Sequence, residues 1–186
     1  MRNVTDRIFQ GAISVFIRKG LQATTQEVAK EAGVAEVTLY RRYSTKENLF
    51  ITVIKNVLEK KFDSHVLEIA KENETEVFLM NIIEDRLEIL SKNYDLVKML
   101  LSESLRGNLA NEINLPDIIF SSLKKGLEYH FELKNQTVDI DFCARQLGGI
   151  FLSYVVLPNA QPFNKLTLQE KKDIARKHAK AVLATI

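Results

Sequence analysis

Glycine and proline are scarce in this chain, with seven and three among its 186 residues. A fold made of many short strands needs these residues at its turns, so the scarcity disfavours such a fold. Long helices need few of them, and apolar residues recur along most of the chain at intervals of three and four. We therefore predict an all-α protein of about nine helices.

The composition excludes several classes of protein. Hydrophobic residues make up 46% and charged residues 27%, which is typical of a folded globular chain and not of a disordered one. The single cysteine, Cys143, forms neither an intramolecular disulfide nor a multi-cysteine metal site. No apolar run is long enough to span a membrane. Because Asp6 and Gln10 interrupt the N-terminal stretch, it does not resemble a secretory signal, and we expect a cytoplasmic protein without a membrane partner.

Charge is unevenly distributed along the chain. Residues 1–61 carry 11 basic and 6 acidic side chains, a net charge of +5, whereas residues 62–186 have a net charge of −3. A basic N-terminal third on a weakly acidic remainder is typical of proteins that bind a polyanion. An excess of this size also arises by chance, so the charge alone leaves a nucleic-acid partner open.

The first sixty residues contain the start and stop signals of successive helices. An amphipathic segment from about Thr5 to Arg18 is followed by Gly20, a residue that suits a helix C-terminus. Residues 24–27 and 44–47 each have the spacing of a capping box, in which a hydroxyl and a carboxylate satisfy N–H groups of the first helical turn, and Thr167 with Glu170 has the same spacing before the last helix. The second box opens a long amphipathic helix.

Two short amphipathic segments, the second running from Glu36 to Tyr43, are joined by Ala32-Gly33-Val34. This is the anatomy of a helix-turn-helix. Glycine at the turn accepts a positive φ without a Cβ penalty, and Val34 fills the angle between the helices. The geometry projects the second short helix away from the body, so that it can enter the major groove of DNA.

Residues Ile8 to Phe50 resemble the DNA-binding head of the TetR family of bacterial transcriptional regulators. The resemblance covers under a quarter of the chain, but many positions match in fixed register. They are Gly20, Thr24, Thr25, Val28, Ala29, Ala32, Gly33, Val34, Thr38, Leu39, Tyr40, Tyr43, Lys46, Glu47 and Leu49. It implies a ligand-responsive regulator, with a helix-turn-helix DNA-binding domain at 1–46 and a helical ligand-binding and dimerisation domain at 47–186.

The resemblance also assigns roles at the DNA. Tyr40, Arg42 and Lys46 match family positions that contact backbone phosphate, and the start of the second helix faces the same backbone. The start of the recognition helix is expected to approach base edges, where Glu36 can accept from cytosine N4 and Val37, which replaces a frequent family glycine, can touch a thymine methyl. The expected DNA-binding residues are Thr25, Gln26, Ala35, Glu36, Val37, Thr38, Tyr40, Arg42 and Lys46. We interpret Tyr43 as a core residue.

A helix-turn-helix protein that binds palindromic half-sites needs two-fold symmetry, so we expect a homodimer on double-stranded DNA. Residues 139–157 are almost entirely apolar, and Gly148-Gly149 in their middle permits close approach of another backbone. In the TetR family the last two long helices form the dimer. The resemblance therefore places the interface on 139–157 and 167–186, with ordinary core packing as the alternative.

The family's body also encloses a pocket for a small-molecule effector, whose binding moves the helix that follows Lys46 and spreads the two heads. Four apolar residues are candidates to line a cavity for an apolar effector: Phe78, Ile82, Phe120 and Phe142. For each of them, plain core packing is the favoured interpretation. The resemblance implies repression, since a dimer bound over a promoter blocks polymerase.

Catalytic signals are weak. His65, His130 and His178 share no metal-ligand spacing, Cys143 lies among apolar residues, and no nucleotide-binding motif or nucleophile elbow is present. We therefore predict a protein that is not an enzyme and that has no metal and no cofactor. Two alternatives stay open: an all-α interaction module that binds another polyanion or a protein, and a small helical enzyme that uses a pocket in the body.

Overall fold

The computed structural model describes residues 3–62, 65–109, 114–157 and 160–186. Within these ranges the regular secondary structure is helical, which confirms the all-α prediction. No helix of the described ranges is long and apolar enough to cross a membrane. The described residues form ten α-helices, one more than predicted: α1 Val4–Lys19, α2 Thr25–Ala32, α3 Glu36–Tyr43, α4 Lys46–Phe62, α5 Val66–Ile69, α6 Thr75–Lys92, α7 Tyr94–Leu105, α8 Leu115–Leu133, α9 Ile140–Val156 and α10 Leu168–Leu183.

The chain divides into two compact units. The first consists of Met1–Leu58 and Asp95–Leu115, and the second of Glu59–Tyr94 and Pro116–Ile186. The first unit thus contains α1 to α3, most of α4 and nearly all of α7. The functional division at residue 46, which was drawn at the end of the helix-turn-helix segment, stays a prediction.

Close packing of α1 on α2 organises the first unit. Gly11 lies on α1 where it meets α2, and a Cβ there would lie 2.8 Å from the backbone N of Ala32. Only glycine permits this approach without displacing a helix. The ring of Phe16 meets that of Phe50 on α4 edge to face, with centroids 4.8 Å apart, and both side chains are buried. This core supports α2 and the turn that follows it.

The second unit is built around α6, which packs against α9, α10 and the 3₁₀ turn Phe163–Lys165. Buried side chains recur along α6 at helical spacing, and α8 contributes a second apolar face to the core of the unit. The buried apolar residues of these two helices include Phe78, Leu79, Ile82, Ile83, Leu87, Leu90, Leu123, Leu127 and Phe131.

Gly148 on α9 lies against a side chain of the same chain, whereas the sequence predicted the close approach of another backbone. A Cβ at this position would lie 2.7 Å from the ring of Phe120, so the glycine admits an aromatic side chain of α8 within the same chain. At Gly149 a Cβ would meet nothing within 4 Å. The open space for a close approach from outside therefore lies at the second glycine of the pair.

Helix caps follow the sequence signals at two of three sites. Thr24 with Glu27 and Thr167 with Glu170 form complete capping boxes, as predicted. At residues 44–47 the prediction of a box was wrong in its register. Ser44 has φ 63° and ends α3, whereas the hydroxyl of Thr45 accepts from the N–H of Asn48 at 3.0 Å.

Candidate nucleic-acid interface

The turn between α2 and α3 has the geometry predicted for a helix-turn-helix. Gly33 ends α2 in the left-handed conformation, with φ 63° and ψ 42°. Its N–H donates back to α2, and the N–H of Val34 donates to the carbonyl of Ala29 at 3.0 Å. Any other residue at position 33 would carry backbone strain. The turn therefore sets the angle at which α3 leaves α2.

One buried side chain, Leu39, attaches α3 to the core of its unit. The exposed side of the same helix carries Val37 and Tyr40, which retain 62% and 51% of their accessible surface. Such exposure of two large apolar side chains is unusual on a short helix and marks a surface available for contact. Ala35, the N-cap of α3, is exposed as well, and Thr38 is half-buried.

Thr25, Glu36 and Tyr40 are joined by hydrogen bonds between α2 and α3. The hydroxyl of Thr25 donates to Glu36 Oε1 at 2.6 Å, in a partly buried position. The hydroxyl oxygens of Thr25 and Tyr40 are 3.2 Å apart. The carboxylate of Glu36 is thus directed back toward α2. No local sequence signal reveals this contact, because it joins residues 11 positions apart on two helices.

Two cations predicted to meet phosphate have partners within the first unit. Arg42 donates from Nη1 to the hydroxyl of Thr5 at 2.9 Å, and Lys46 donates from Nζ to the carbonyl of Leu21 at 2.7 Å. An arginine carries five N–H donors and a lysine three, so both retain donors for an anion. These contacts fix the position of each cation. Gln26 is exposed at the start of α2.

Tyr43 differs from its predicted core position, since the side chain is only half-buried at the end of α3. Partial burial raises the pKa of its phenol above the ordinary value. Tyr43 lies four residues after Leu39 on the same face of α3, and as the last residue of the helix it reaches only the edge of the core.

A set of ion pairs fixes α2 against the end of α1. Arg18 Nη2 lies 2.8 Å from Glu31 Oε2, and Lys19 pairs with Glu27 of the capping box. The hydrogen bond from Lys19, and then that from the backbone of Thr24, lowers the pKa of Glu27. Because these groups are exposed, each pair stabilises the unit only slightly, and their main effect is orientation.

The four residues predicted to line a ligand pocket lie in different environments. Phe78 and Ile82 are fully buried on α6, Phe120 lies against Gly148, and Phe142 on α9 is largely exposed. The structure therefore does not bring all four to one cavity wall. Their role in ligand binding stays a prediction.

Two cavities of the second unit are lined by other residues. One, of about 400 Å³, is bordered by α6, α9 and residues 161–165, with Leu87, Tyr154 and Phe163 in its mostly apolar wall. The other is a more open groove of about 810 Å³ beside α6 and α10 that contains several charged side chains. The sequence pattern did not indicate either cavity, because both depend on how distant helices pack.

His130 is fully buried in the second unit and is held on both sides of its ring. Nδ1 donates to the carbonyl of Ala70 at 3.1 Å, so Nε2 accepts from the hydroxyl of Thr75, also at 3.1 Å. The ring stacks on Phe78 with centroids 4.0 Å apart. Burial lowers the pKa of His130, which is therefore a neutral structural residue.

Nucleophilic chemistry at Cys143 is disfavoured by its surroundings. The side chain is completely buried, and burial raises the pKa of the thiol to about 11. A thiolate is the reactive form of cysteine, and this environment suppresses it. Among the residues that the structure describes, no three His, Cys, Asp or Glu side chains come together as a metal site requires.

The exposed surface of α9 and of the segment that follows it carries several large apolar side chains beside the charged Asp141 and Arg145. Phe142, Leu152, Val156 and Leu157 are all exposed, and Leu168 at the start of α10 is exposed too. Several large apolar side chains on neighbouring turns form a patch that a monomer in water would rarely present. This patch includes the open side of Gly149.

Comparison with known proteins agrees with this geometry. Residues 8–53 match the family model of bacterial regulatory proteins of the tetR family. The HTH-type transcriptional regulator YvkB of Bacillus subtilis (strain 168) is 29% identical over 106 residues, which are 55% of this chain and 53% of that protein. The chain thus spans about half the length, or less, of the curated relatives it matches.

Solved structures show the same fold over the whole chain. The TetR-family regulator PfmR from Thermus thermophilus superposes with a TM-score of 0.70 at 19% identity, covering 100% of this chain and 98% of the other. The regulator FadR from Bacillus subtilis, solved in complex with stearoyl-CoA, superposes with a TM-score of 0.72 at 16% identity, covering 98% and 99%. The N-terminal segment of the chain thus matches the tetR family of bacterial regulatory proteins, and the whole chain has the fold of solved TetR-family regulators.

Proposed function

We propose that this protein is a DNA-binding transcriptional regulator whose recognition helix is α3. The observation that carries the proposal is the exposure of α3, in which Leu39 is the one fully buried side chain, within the segment that matches the family model. An exposed helix that follows a tight glycine turn has the dimensions to enter the major groove. The basic excess of residues 1–61 supplies attraction to the phosphate backbone.

The DNA-facing residues divide into two groups under this proposal. Arg42 and Lys46 contact phosphate, because both are cations fixed at the ends of helices, and the exposed Gln26 faces the same backbone. Ala35, Val37 and Thr38 approach base edges from the start of α3. Val37 is the most informative of these, since its exposed methyl groups match the methyl of thymine.

A homodimer completes the proposal. Two copies joined through 139–157 and 167–186 would present two recognition helices to a palindromic operator. The apolar patch of Phe142, Leu152, Val156 and Leu157 supports this interface, and open space at Gly149 leaves room for a partner helix. The dimer overlapping a promoter would repress transcription in the cytoplasm.

A small apolar effector is proposed to release the DNA. The cavity of about 400 Å³ with Leu87, Tyr154 and Phe163 in its wall has the size and character of a small-molecule site. Short apolar acids are therefore the first class of effector to test. FadR of Bacillus subtilis, which shares the fold, is described with stearoyl-CoA, so the larger and charged long-chain acyl-CoA is the comparison.

Selection from a randomised duplex library tests the proposal directly. The full-length protein should enrich a palindromic sequence, and its affinity should fall as the salt concentration rises. Equal, salt-dependent binding to every duplex and to heparin would indicate instead an interaction module for polyanions. A dimeric preparation that enriches no sequence, in the absence or presence of acyl-CoA, would refute the proposed function.

A further inference from the structure

The hydroxyl groups of Tyr40 and Thr25 form a chain of hydrogen bonds that ends at one carboxylate, that of Glu36. A carboxylate accepts hydrogen bonds, so the 2.6 Å contact requires Thr25 to donate to Glu36. Thr25 has one hydroxyl proton, and Tyr40 must therefore be the donor in its 3.2 Å contact with Thr25. In the free protein both hydroxyl groups are committed to a chain that ends at Glu36.

A phosphate oxygen of DNA is also only an acceptor, and it needs the same protons. Thr25 cannot donate to Glu36 and to a phosphate at once. Resting on the proposed DNA-binding function, we propose that Glu36 is a positioning residue that competes with the DNA backbone for the hydroxyl groups of Thr25 and Tyr40. Glu36 does not contact a base.

The placement of Glu36 separates this role from base recognition. Its carboxylate is half-buried and tied between α2 and α3, whereas the next residue, Val37, is exposed to the groove side of the helix. In the free protein the hydrogen bond from Thr25 holds the carboxylate against α2. Its negative charge near the backbone also opposes binding to any sequence.

The decisive variant is Glu36→Gln, which retains an acceptor oxygen and loses the charge. We expect it to bind the selected operator and a random-sequence duplex more tightly, by the same factor of about three to ten, because one repulsive charge is removed and the neutral amide oxygen holds the Thr25 proton less strongly. Base preference in a library selection should not change. Weaker binding, or altered preference at one base position, would show that Glu36 contacts a base and would overturn the proposal.

Thr25→Val then tests whether the hydroxyl is the group in competition. Under the proposal it has little effect in the wild-type chain but, in the Glu36→Gln background, it removes the part of the gain that does not come from the lost charge. An equal effect in both backgrounds would exclude competition for this proton. Glu47→Gln, which removes an exposed charge from the same unit, is the matched control, and an equal gain there would reduce the effect to net charge.

Thermal melting shows whether each variant is folded. Glu36→Ala is a second variant, and it should also strengthen binding to both duplexes. A wild-type protein that binds no duplex would refute the proposed function and this inference with it. A wild-type protein that binds its operator, with no gain in either Glu36 variant, would refute this inference alone.

Discussion

Lys46→Ala should weaken DNA binding by a similar factor on every sequence. The ammonium lies at the start of α4 and uses one of its three donors on the carbonyl of Leu21, at 2.7 Å. If the other two N–H donors of Lys46 contact one phosphate, removing the ammonium group makes the dependence of log K on the logarithm of the salt concentration shallower by about 0.9. Raising the salt from about 50 to about 200 mM should then narrow the affinity gap between wild type and variant by roughly 3.5-fold.

Fluorescence anisotropy at several salt concentrations, on the operator and on a scrambled duplex, measures both quantities. Lys46→Arg should preserve the salt slope, and Lys125→Ala, which removes an exposed charge of the second unit, should leave it unchanged. The lost contact with Leu21 costs about 1 kcal/mol of stability, so melting curves must accompany the titrations. A sequence-selective loss with an unchanged slope would refute the phosphate contact.

The remaining predictions concern packing, assembly and pH. Gly11→Ala should lower the free energy of unfolding by about 1–3 kcal/mol, because the new methyl meets backbone of α2 and forces the helices apart; chemical denaturation measures this, and an unchanged midpoint would contradict the close approach. The methyl group added by Gly149→Ala meets open space within the chain, so a loss of stability in this variant would have to come from contact with a partner chain. Val156→Glu should leave the monomer folded and abolish the dimer in sedimentation velocity, and a dimer of unaltered affinity would exclude this patch as the interface. Burial lowers the pKa of His130, so the unfolded chain takes up a proton as the pH falls below about 6.5 while the folded chain does not. Stability should therefore decrease from there until the pH passes the lowered folded-state pKa, and His130→Asn should reduce that decrease while the same change at the exposed His65 should not.

Local signals in the sequence predicted the parts of the fold that depend on neighbouring residues. The capping boxes at Thr24 and Thr167 follow from hydroxyl and carboxylate spacing, and Gly33 follows from the need for a left-handed residue at a tight turn. The register at 44–47 failed because two adjacent hydroxyl residues compete for one cap. The sequence pattern does not say which of Ser44 and Thr45 takes the positive φ.

Contacts between residues that are distant in the sequence could not be predicted from the sequence pattern. The bond from Thr25 to Glu36 depends on the angle between two helices, and the proposal that Glu36 is a positioning residue rests on this contact. Phe142 and Phe78 have similar apolar neighbours in the sequence, yet one is exposed on α9 and the other is buried against His130. Periodicity identifies an apolar face but not the element that covers it.

The attachment of α3 by one buried side chain has an evolutionary consequence. Substitutions at exposed positions away from special features usually change stability by less than about 0.5 kcal/mol. Seven of the eight residues of this helix are not buried, so most of them can vary with little cost to folding while Leu39 is retained. A lineage carrying this head can therefore acquire new operator preferences in small steps, each through a viable intermediate.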